Sequence, residues 1–405
     1  MDIKKIKSEF PIFNQKINNK PLIYLDSANS SQKPKSVIDR ISKFYETEYS
    51  NIGRSVHSLA VKATNRFEET RDKVKNYINA KHREEIIFTK GATEAINLIA
   101  ATYGEKFINK GDEILITELE HHSNYVPWNF LREKKGAVIK FVPVNKNGEI
   151  EIDEVKKHIS IKTKIIAITH LSNVTGAIVP IKKIVDLAQT KKIPVLVDGT
   201  QAAPHLEIDM QLLGCDFYAI SCHKMYGPNG LGILFAKKKW LDILPPYQGG
   251  GGMIDEVKKD SITYAESPTK FEPGTLQTAE VVGFSESINF IQRIGIKNIL
   301  NHENTIMEYG LEKLKKNNSI NIIGNPKEKG SVICFTIKGI HPHDIATILD
   351  DDGVAIRAGH HCCQILHDKL GVPATARASL GVYNTKEDID ILCSAIDNCK
   401  KVFNI

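Results

Sequence analysis

Lys224 stands in Ser221-Cys222-His223-Lys224-Met225-Tyr226-Gly227-Pro228, directly after the apolar run Phe217–Ser221. A lysine at a strand end, among small and turn-forming residues, loses part of its hydration. Burial of that kind lowers its pKa and makes the amine nucleophilic toward a carbonyl. Ser221 and His223 beside it can hold an anion. Taken alone, the segment also fits a snorkelling surface lysine. A second apolar run, Ile193–Asp198, ends in Asp198-Gly199-Thr200-Gln201. Only a short helix is predicted between the two runs, so their ends can be neighbours. Asp198 can hold a protonated pyridine nitrogen and Gln201 a ring hydroxyl, although Asp198 could instead cap the next helix. Together with Lys224, this points to pyridoxal phosphate, PLP. A third strand end, Thr89-Lys90-Gly91-Ala92-Thr93, opens into a helix whose first N–H groups, at Ala92 and Thr93, favour a phosphate. Glu120-His121-His122-Ser123-Asn124 offers an imidazole to stack on the pyridine ring and shuttle protons. Adjacent histidines are otherwise common at surfaces and metals.

The second reactive segment is Arg357-Ala358-Gly359-His360-His361-Cys362-Cys363. Four contiguous potential ligands suggest zinc, but structural zinc sites prefer pairs spaced by about 2–4 residues, so no metal is expected. A thiol on a Gly-His-His loop near Arg357 suits a mobile nucleophile, since nearby cations favour the thiolate. Neighbouring cysteines seldom bond to each other. Cys362 is the candidate nucleophile; the other six cysteines have structural explanations, although Cys363 could instead offer a second thiol. Arg377, in Ala374-Thr375-Ala376-Arg377-Ala378-Ser379, could clamp a carboxylate bidentately. A salt-bridged structural arginine explains it equally well.

These residues need elements to hold them. From Ile86 to Phe235 short apolar strands alternate with helical patterns. The strands are expected at Ile86–Thr89, Glu113–Thr117, Ala137–Val142, Ile165–His170, Ile193–Asp198, Phe217–Ser221 and Leu231–Ala236. Helices are expected at Thr93–Tyr103, Ile181–Thr190 and Leu206–Leu213. The alternation predicts an α/β fold with a mostly parallel seven-stranded sheet between helices. Such sheets bind ligands at the strands' carboxyl ends. After Thr278 the pattern becomes a smaller α+β domain. It has long helices near Val281–Arg293 and Lys297–Asn317, then strands at Ile320–Ile323, Ser331–Ile337, Val354–Arg357 and Thr375–Leu380, with helices at Pro342–Asp351 and Lys386–Phe403. The expected division is an N-terminal segment over residues 1–20, packed on the small domain through Phe10–Phe13, a large domain over 21–280, and a small domain over 281–405. Gly249–Gly252 reads as a loop.

The bulk numbers agree with this reading. The chain has 405 residues, with 54 Lys and Arg against 48 Asp and Glu. A formal charge of +6 gives no support to nucleic-acid binding. A hydrophobic content of 41% excludes global disorder. Seven cysteines are too few for a disulfide scaffold and imply a reducing compartment. No apolar run of about 18 residues suggests a membrane span, and the first residues lack a secretory h-region. A cytoplasmic location is expected, or an organellar lumen after removal of a transit peptide.

The motifs around Lys224, Asp198, His121, Cys362 and Arg377 resemble the group II, SufS-type cysteine desulfurases, class V aminotransferases of PLP fold type I. The likeness runs from Tyr24-Leu25-Asp26-Ser27-Ala28 to Tyr383-Asn384-Thr385. The resemblance implies a homodimer that converts L-cysteine to L-alanine and passes sulfur, as an enzyme persulfide, to an acceptor protein for iron–sulfur cluster assembly. It implies that Lys224 holds PLP as a Schiff base, that His121 stacks on the ring, and that Asp198 and Gln201 meet its nitrogen and oxygen. Ala92, Thr93, Ser221 and His223 would bind the phosphate, and Thr275 would reach the partner subunit's phosphate. Asn173 and Arg377, with Arg357 and His57, would contact the substrate. Cys362 would take the sulfur. Gly53 stands where the family usually has His, Leu276 where Pro is usual, and Cys363 where Ala is common. A selenocysteine lyase, or a scaffold that carries persulfide without making it, is the alternative.

Overall fold

The computed structural model describes residues 1–404. Its centre is a sheet of β1 Ile86–Thr89, β2 Glu113–Thr117, β3 Val138–Val142, β4 Thr163–Thr169, β5 Val195–Asp198, β6 Phe217–Ser221 and β7 Gly232–Ala236. The strand order is β1-β7-β6-β5-β4-β2-β3. Neighbours are parallel, except that β7 runs antiparallel to β1 and β6. The near-continuous apolar runs arise because both sheet faces are covered. Successive side chains divide between two cores. Ile86, Phe88, Leu115, Ile168 and Val197 lie in one, and Ile87, Ile114, Ile116, Leu196 and Ala219 in the other.

β1, β2, β4, β5 and β6 run in one direction, so Thr89, Thr117, Thr169, Asp198 and Ser221 share one edge. At that edge β7 approaches the turn before the helix Ala92–Phe107. A Cβ on Gly232 would lie 2.4 Å from Gly91 Cα, so the approach requires glycine.

A second, antiparallel sheet contains β8 Ile320–Ile323, β9 Val332–Ile337, β10 Arg357–Gly359 and β11 Thr375–Ser379, in the order β8-β9-β11-β10. Its core joins Ile333 and Phe335 to Ile345, Leu349, Leu392 and Ile396 of the helices Pro342–Asp351 and Lys386–Val402. The start of the chain binds both halves. Phe10 packs on Phe290 and Tyr383 at 5.4 and 5.0 Å between ring centres. Ile23–Tyr24 pairs with Val354–Ala355, and Lys7 reaches Asp388 at 3.2 Å.

Two local expectations need correction, and one segment gains an element. The predicted helix Leu206–Leu213 is only Met210–Leu213, because Asp209 is extended and caps the Leu212 N–H. The predicted strand Val354–Arg357 is two strands: Val354–Ala355 pairs with Ile23–Tyr24, and Arg357 starts β10. The glycine loop leads into an exposed hairpin, Ile254–Val257 with Ile262–Tyr264. Among the described residues no helix is long and apolar enough to cross a membrane.

One buried ion pair fixes the loop that carries Thr275. Arg71 grips Glu272 through both terminal nitrogens at 2.7 and 2.8 Å and donates to Ile86 O, while Glu272 also accepts from the Phe88 N–H. Removing one partner strands a buried charge. Glu272→Ala is expected to lower unfolding stability by about 3 kcal/mol or more, seen as a fall in the urea midpoint. An unchanged midpoint would show that the pair is replaceable by water.

Candidate active site

The shared strand edge opens into a cavity of about 240 Å³ lined by Ala92, Thr93, His121, Asn173, Asp198, Gln201, Ser221, His223, Lys224, Arg357 and Cys362, together with Asn29, Ser123, Thr169, Leu171 and Thr200. Eleven of the predicted site residues thus meet in one place, brought by five strand ends and one loop of the second sheet.

Lys224 lies in the turn after β6. Burial pulls its amine down to about 8; the Arg377 guanidinium acts in the same direction and the Asp198 carboxylate opposes it. Asp198, at the end of β5, is buried and accepts from the Thr200 N–H at 3.0 Å through Oδ1. The next helix, Met210–Leu213, is capped by Asp209, so the alternative that Asp198 caps a helix does not hold. Gln201 donates through Nε2 to Ala28 O at 2.7 Å, which orients the amide. Gln201 Oε1 and Thr200 Oγ1 are buried without a partner. Orphan polar atoms at a cavity wall call for a polar ligand. A pyridine ring with a hydroxyl and a ring N–H supplies what Gln201 and Asp198 lack, so these residues fit PLP.

The phosphate end is also built. Ser221 Oγ accepts from the Ala92 N–H at 2.9 Å, which leaves its own proton free to donate. Thr93 Oγ1 meets Ser123 Oγ at 2.8 Å at the start of the same helix. His223 Nδ1 meets Ser30 Oγ at 3.1 Å. Burial, with Lys224 and Lys33 nearby, lowers His223 to about 4, so it acts as a neutral partner.

His121 is held in a neutral form by burial and by Lys224, which take it down to about 3. Its Nδ1 accepts from the Ser123 N–H at 3.1 Å, so the ring proton belongs on Nε2. Glu120 braces this turn from behind, accepting from Thr117 Oγ1, Asn124 Nδ2 and Thr169 N at 2.5, 2.6 and 3.1 Å.

Cys362 is half-buried on its loop, with Arg357 Nη2 at 3.6 Å from Sγ. His361 and Cys362 both adopt left-handed backbone, with φ of 51° and 58°. Asn173 Nδ2 holds His361 O at 2.8 Å and the His122 N–H holds Cys362 O at 2.8 Å. Cys363 is fully buried, and desolvation pushes its thiol well above the usual range.

Three predicted residues lie outside the cavity. Arg377 is fully buried, paired to Asp26 Oδ1 at 3.1 Å and donating to Asn173 O at 3.3 Å, and its Nε has no partner. His57 is exposed and caps the helix Ser58–Tyr77 through Nδ1. Thr275 is exposed as well. The last two segments touch each other, since Arg54 Nη2 donates to Gly274 O at 3.3 Å.

Sequence reasoning assigned no role to Asp26 or Asn29. Asp26 Oδ2 accepts from Asn29 Nδ2 at 3.1 Å, and Asn29 Oδ1 accepts from Arg357 Nη1 at 3.2 Å. They link Arg377 to the arginine beside Cys362. The only available signal was their position in the segment Tyr24–Ala28 and just after it.

Residues 23–392 match the family described as aminotransferase class-V. The chain belongs to that family, whose enzymes are PLP-dependent. Within it, the chain is 47% identical over 403 residues to a probable cysteine desulfurase of Halalkalibacterium halodurans, covering 100% of this chain and 99% of that relative. It is 46% identical over 404 residues to one of Staphylococcus epidermidis, covering 100% and 98%. The crystal structure of the Escherichia coli cysteine desulfurase CsdA, in an S-sulfonic acid form, is 34% identical and superposes with a TM-score of 0.92 over 99% of each chain. The apo cysteine desulfurase of Thermococcus onnurineus is 32% identical, with a TM-score of 0.93 over 98% of each chain. The fold is the α/β architecture of PLP fold type I expected from the motifs.

Proposed function

We propose that this protein is a PLP-dependent cysteine desulfurase of the group II, SufS type. It converts L-cysteine to L-alanine and gives the sulfur, as a persulfide on Cys362, to an acceptor protein for iron–sulfur cluster assembly. The observation that carries the reading is that Cys362 opens onto the same cavity as Lys224 and Asp198. A plain aminotransferase gives that thiol no task, and a passive sulfur carrier gives none to a buried lysine facing an aspartate.

Bound PLP supplies an electron sink for bonds at the substrate Cα. Asp198 holds the proton on the pyridine nitrogen, and Gln201 Oε1 accepts from the ring hydroxyl. Ala92, Thr93, Ser221 and His223 bind the phosphate. Lys224 alternates between amine and ammonium and moves protons at Cα. His121, neutral and protonated on Nε2, stacks on the ring and assists. Asn173, Arg377 and Arg357 orient the substrate carboxylate, which requires Asn173 and Arg377 to exchange part of their present bonding. Cys362 Sγ, having given up its proton, attacks the substrate sulfur. The S–S bond forms as the Cβ–S bond breaks, the electron pair of that bond stays with the carbon skeleton, and protonation at Cβ and then at Cα gives alanine.

A homodimer accounts for His57 and Thr275. Both lie in adjoining exposed loops, and exposed apolar residues lie on the segments leading to and from His57: Ile38 and Tyr45 on the helix Lys35–Thr47, Tyr49 just after it, and Leu59 and Val61 on the helix Ser58–Tyr77. Large apolar side chains exposed on one pair of helices support an interface there. Pairing through it carries Thr275 to the partner subunit's phosphate and His57 to its substrate side. The reducing conditions that a free, sulfur-accepting thiol needs support a cytoplasmic location.

The decisive assay incubates the purified protein with PLP and L-cysteine and measures alanine. Alanine with an equal amount of sulfide, in the presence of a thiol reductant, is the expected result. Colourless protein that gains no visible absorbance from added PLP, and yields no alanine, would sink the reading.

A further inference from the structure

Cys363 has no part in the chemistry proposed above, yet its thiol is buried against the residue that ties down the nucleophile's loop. We infer that Cys363 is a positioning residue: its thiol donates to Asn173 Oδ1 and, through that amide, holds the turn that presents Cys362. The inference rests on the reading of Cys362 as the sulfur-accepting thiol.

The hydrogen bonds fix their own direction. Asn173 lies 2.8 Å from His361 O, and a carbonyl only accepts, so Nδ2 faces it. Oδ1 therefore faces Cys363 Sγ, 3.1 Å away. An amide oxygen also only accepts, so Cys363 must supply an S–H. Its complete burial favours the protonated thiol that this bond needs.

What the amide holds is a strained turn. Consecutive residues at φ of 51° and 58° are unusual for side chains larger than glycine. Asn173 is a firm anchor for it, because its own carbonyl is gripped by the buried Arg377. Its neighbour Ser172 is bonded across the loop to Ala177 O at 3.0 Å. Of the amide's two ends, one holds the turn and the other is steered only by Cys363. An alanine at 363 leaves Oδ1 buried and unpaired, and frees the amide to rotate away from His361 O.

A filler role and a hydrogen-bonding role make different predictions for serine, which loses the sulfur's volume but keeps a donor. The test is the rate at which iodoacetamide alkylates Cys362 in the holoenzyme, read at that residue by fragment mass spectrometry. Cys363→Ala is expected to react about fivefold faster than wild type, the factor for one lost buried hydrogen bond, and Cys363→Ser to stay within about twofold. An alanine variant that reacts at the wild-type rate, or a serine variant as fast as alanine, overturns the inference. Wild-type protein gives an independent check even if a variant folds poorly. After turnover with L-cysteine, the added sulfur is expected on Cys362 alone, and sulfur on Cys363 overturns the inference. Alkylation needs no turnover, so a failure to make alanine counts against the proposed function and leaves the role of Cys363 decidable.

Discussion

Lys224→Ala is expected to lower alanine formation from L-cysteine by about 10⁴-fold or more, because it removes both the amine that captures PLP and a proton carrier at the reacting carbon. Lys224→Arg is expected to fail as badly. It keeps the charge beside Asp198, but a guanidinium does not deprotonate at working pH. The structure also sets a pH signature. With its pKa lowered to about 8, mainly by burial, roughly a tenth of the lysine is free amine at pH 7, against fewer than about one in a thousand for an ordinary lysine. PLP capture by the apoprotein, followed by its visible absorbance, should accelerate about tenfold per pH unit up to 8 and then level off. A rate still climbing toward pH 10 would place Lys224 in water and remove the premise of a buried nucleophile. His121, held near 3 by burial and by Lys224, is neutral throughout and should add no inflection in the ordinary histidine range.

The central sheet was legible because it is buried on both faces. Runs such as Ile86-Ile87-Phe88 and Val195-Leu196-Val197 carry their burial in their composition. The strand ends then placed Lys224, Asp198, Thr93 and His121 at one edge without any long-range information. The helices Lys35–Thr47 and Ser58–Tyr77 were harder to read. Their buried faces are thin: Val37 and Phe44 in one, and largely Ala60, Ala63, Phe67 and Val74 in the other. The rest of each surface is polar, or apolar and exposed. The hairpin Ile254–Tyr264 has no buried side chain, so no burial pattern existed to be read. Arg377 shows the limit for the site. Its neighbours in sequence are small and uninformative, whereas its partner Asp26 lies more than three hundred residues away. The chain Arg377–Asp26–Asn29–Arg357 exists only once both ends of the protein meet.

Cys362→Ala separates sulfur removal from substrate binding. The variant is expected to take up PLP and L-cysteine as wild type does, because Lys224, Asp198 and Gln201 are untouched and the loop's tethers act on backbone carbonyls of His361 and Cys362. Alanine formation should fall by about 100-fold or more, since no other thiol faces the cavity to accept the sulfur. The loop geometry makes Cys362 more than an available thiol. Two consecutive left-handed residues cost roughly 1–2 kcal/mol each, and bonds from Asn173, His122 and Thr375 hold the segment there. A fold that sustains this strain at one thiol, with a guanidinium 3.6 Å from its sulfur, commits that sulfur to the cavity. Mass spectrometry after a single turnover checks the assignment: wild type gains one sulfur atom and Cys362→Ala gains none. Undiminished alanine formation by the variant would mean that sulfur leaves by a route without this thiol, and the strained turn would then need another purpose.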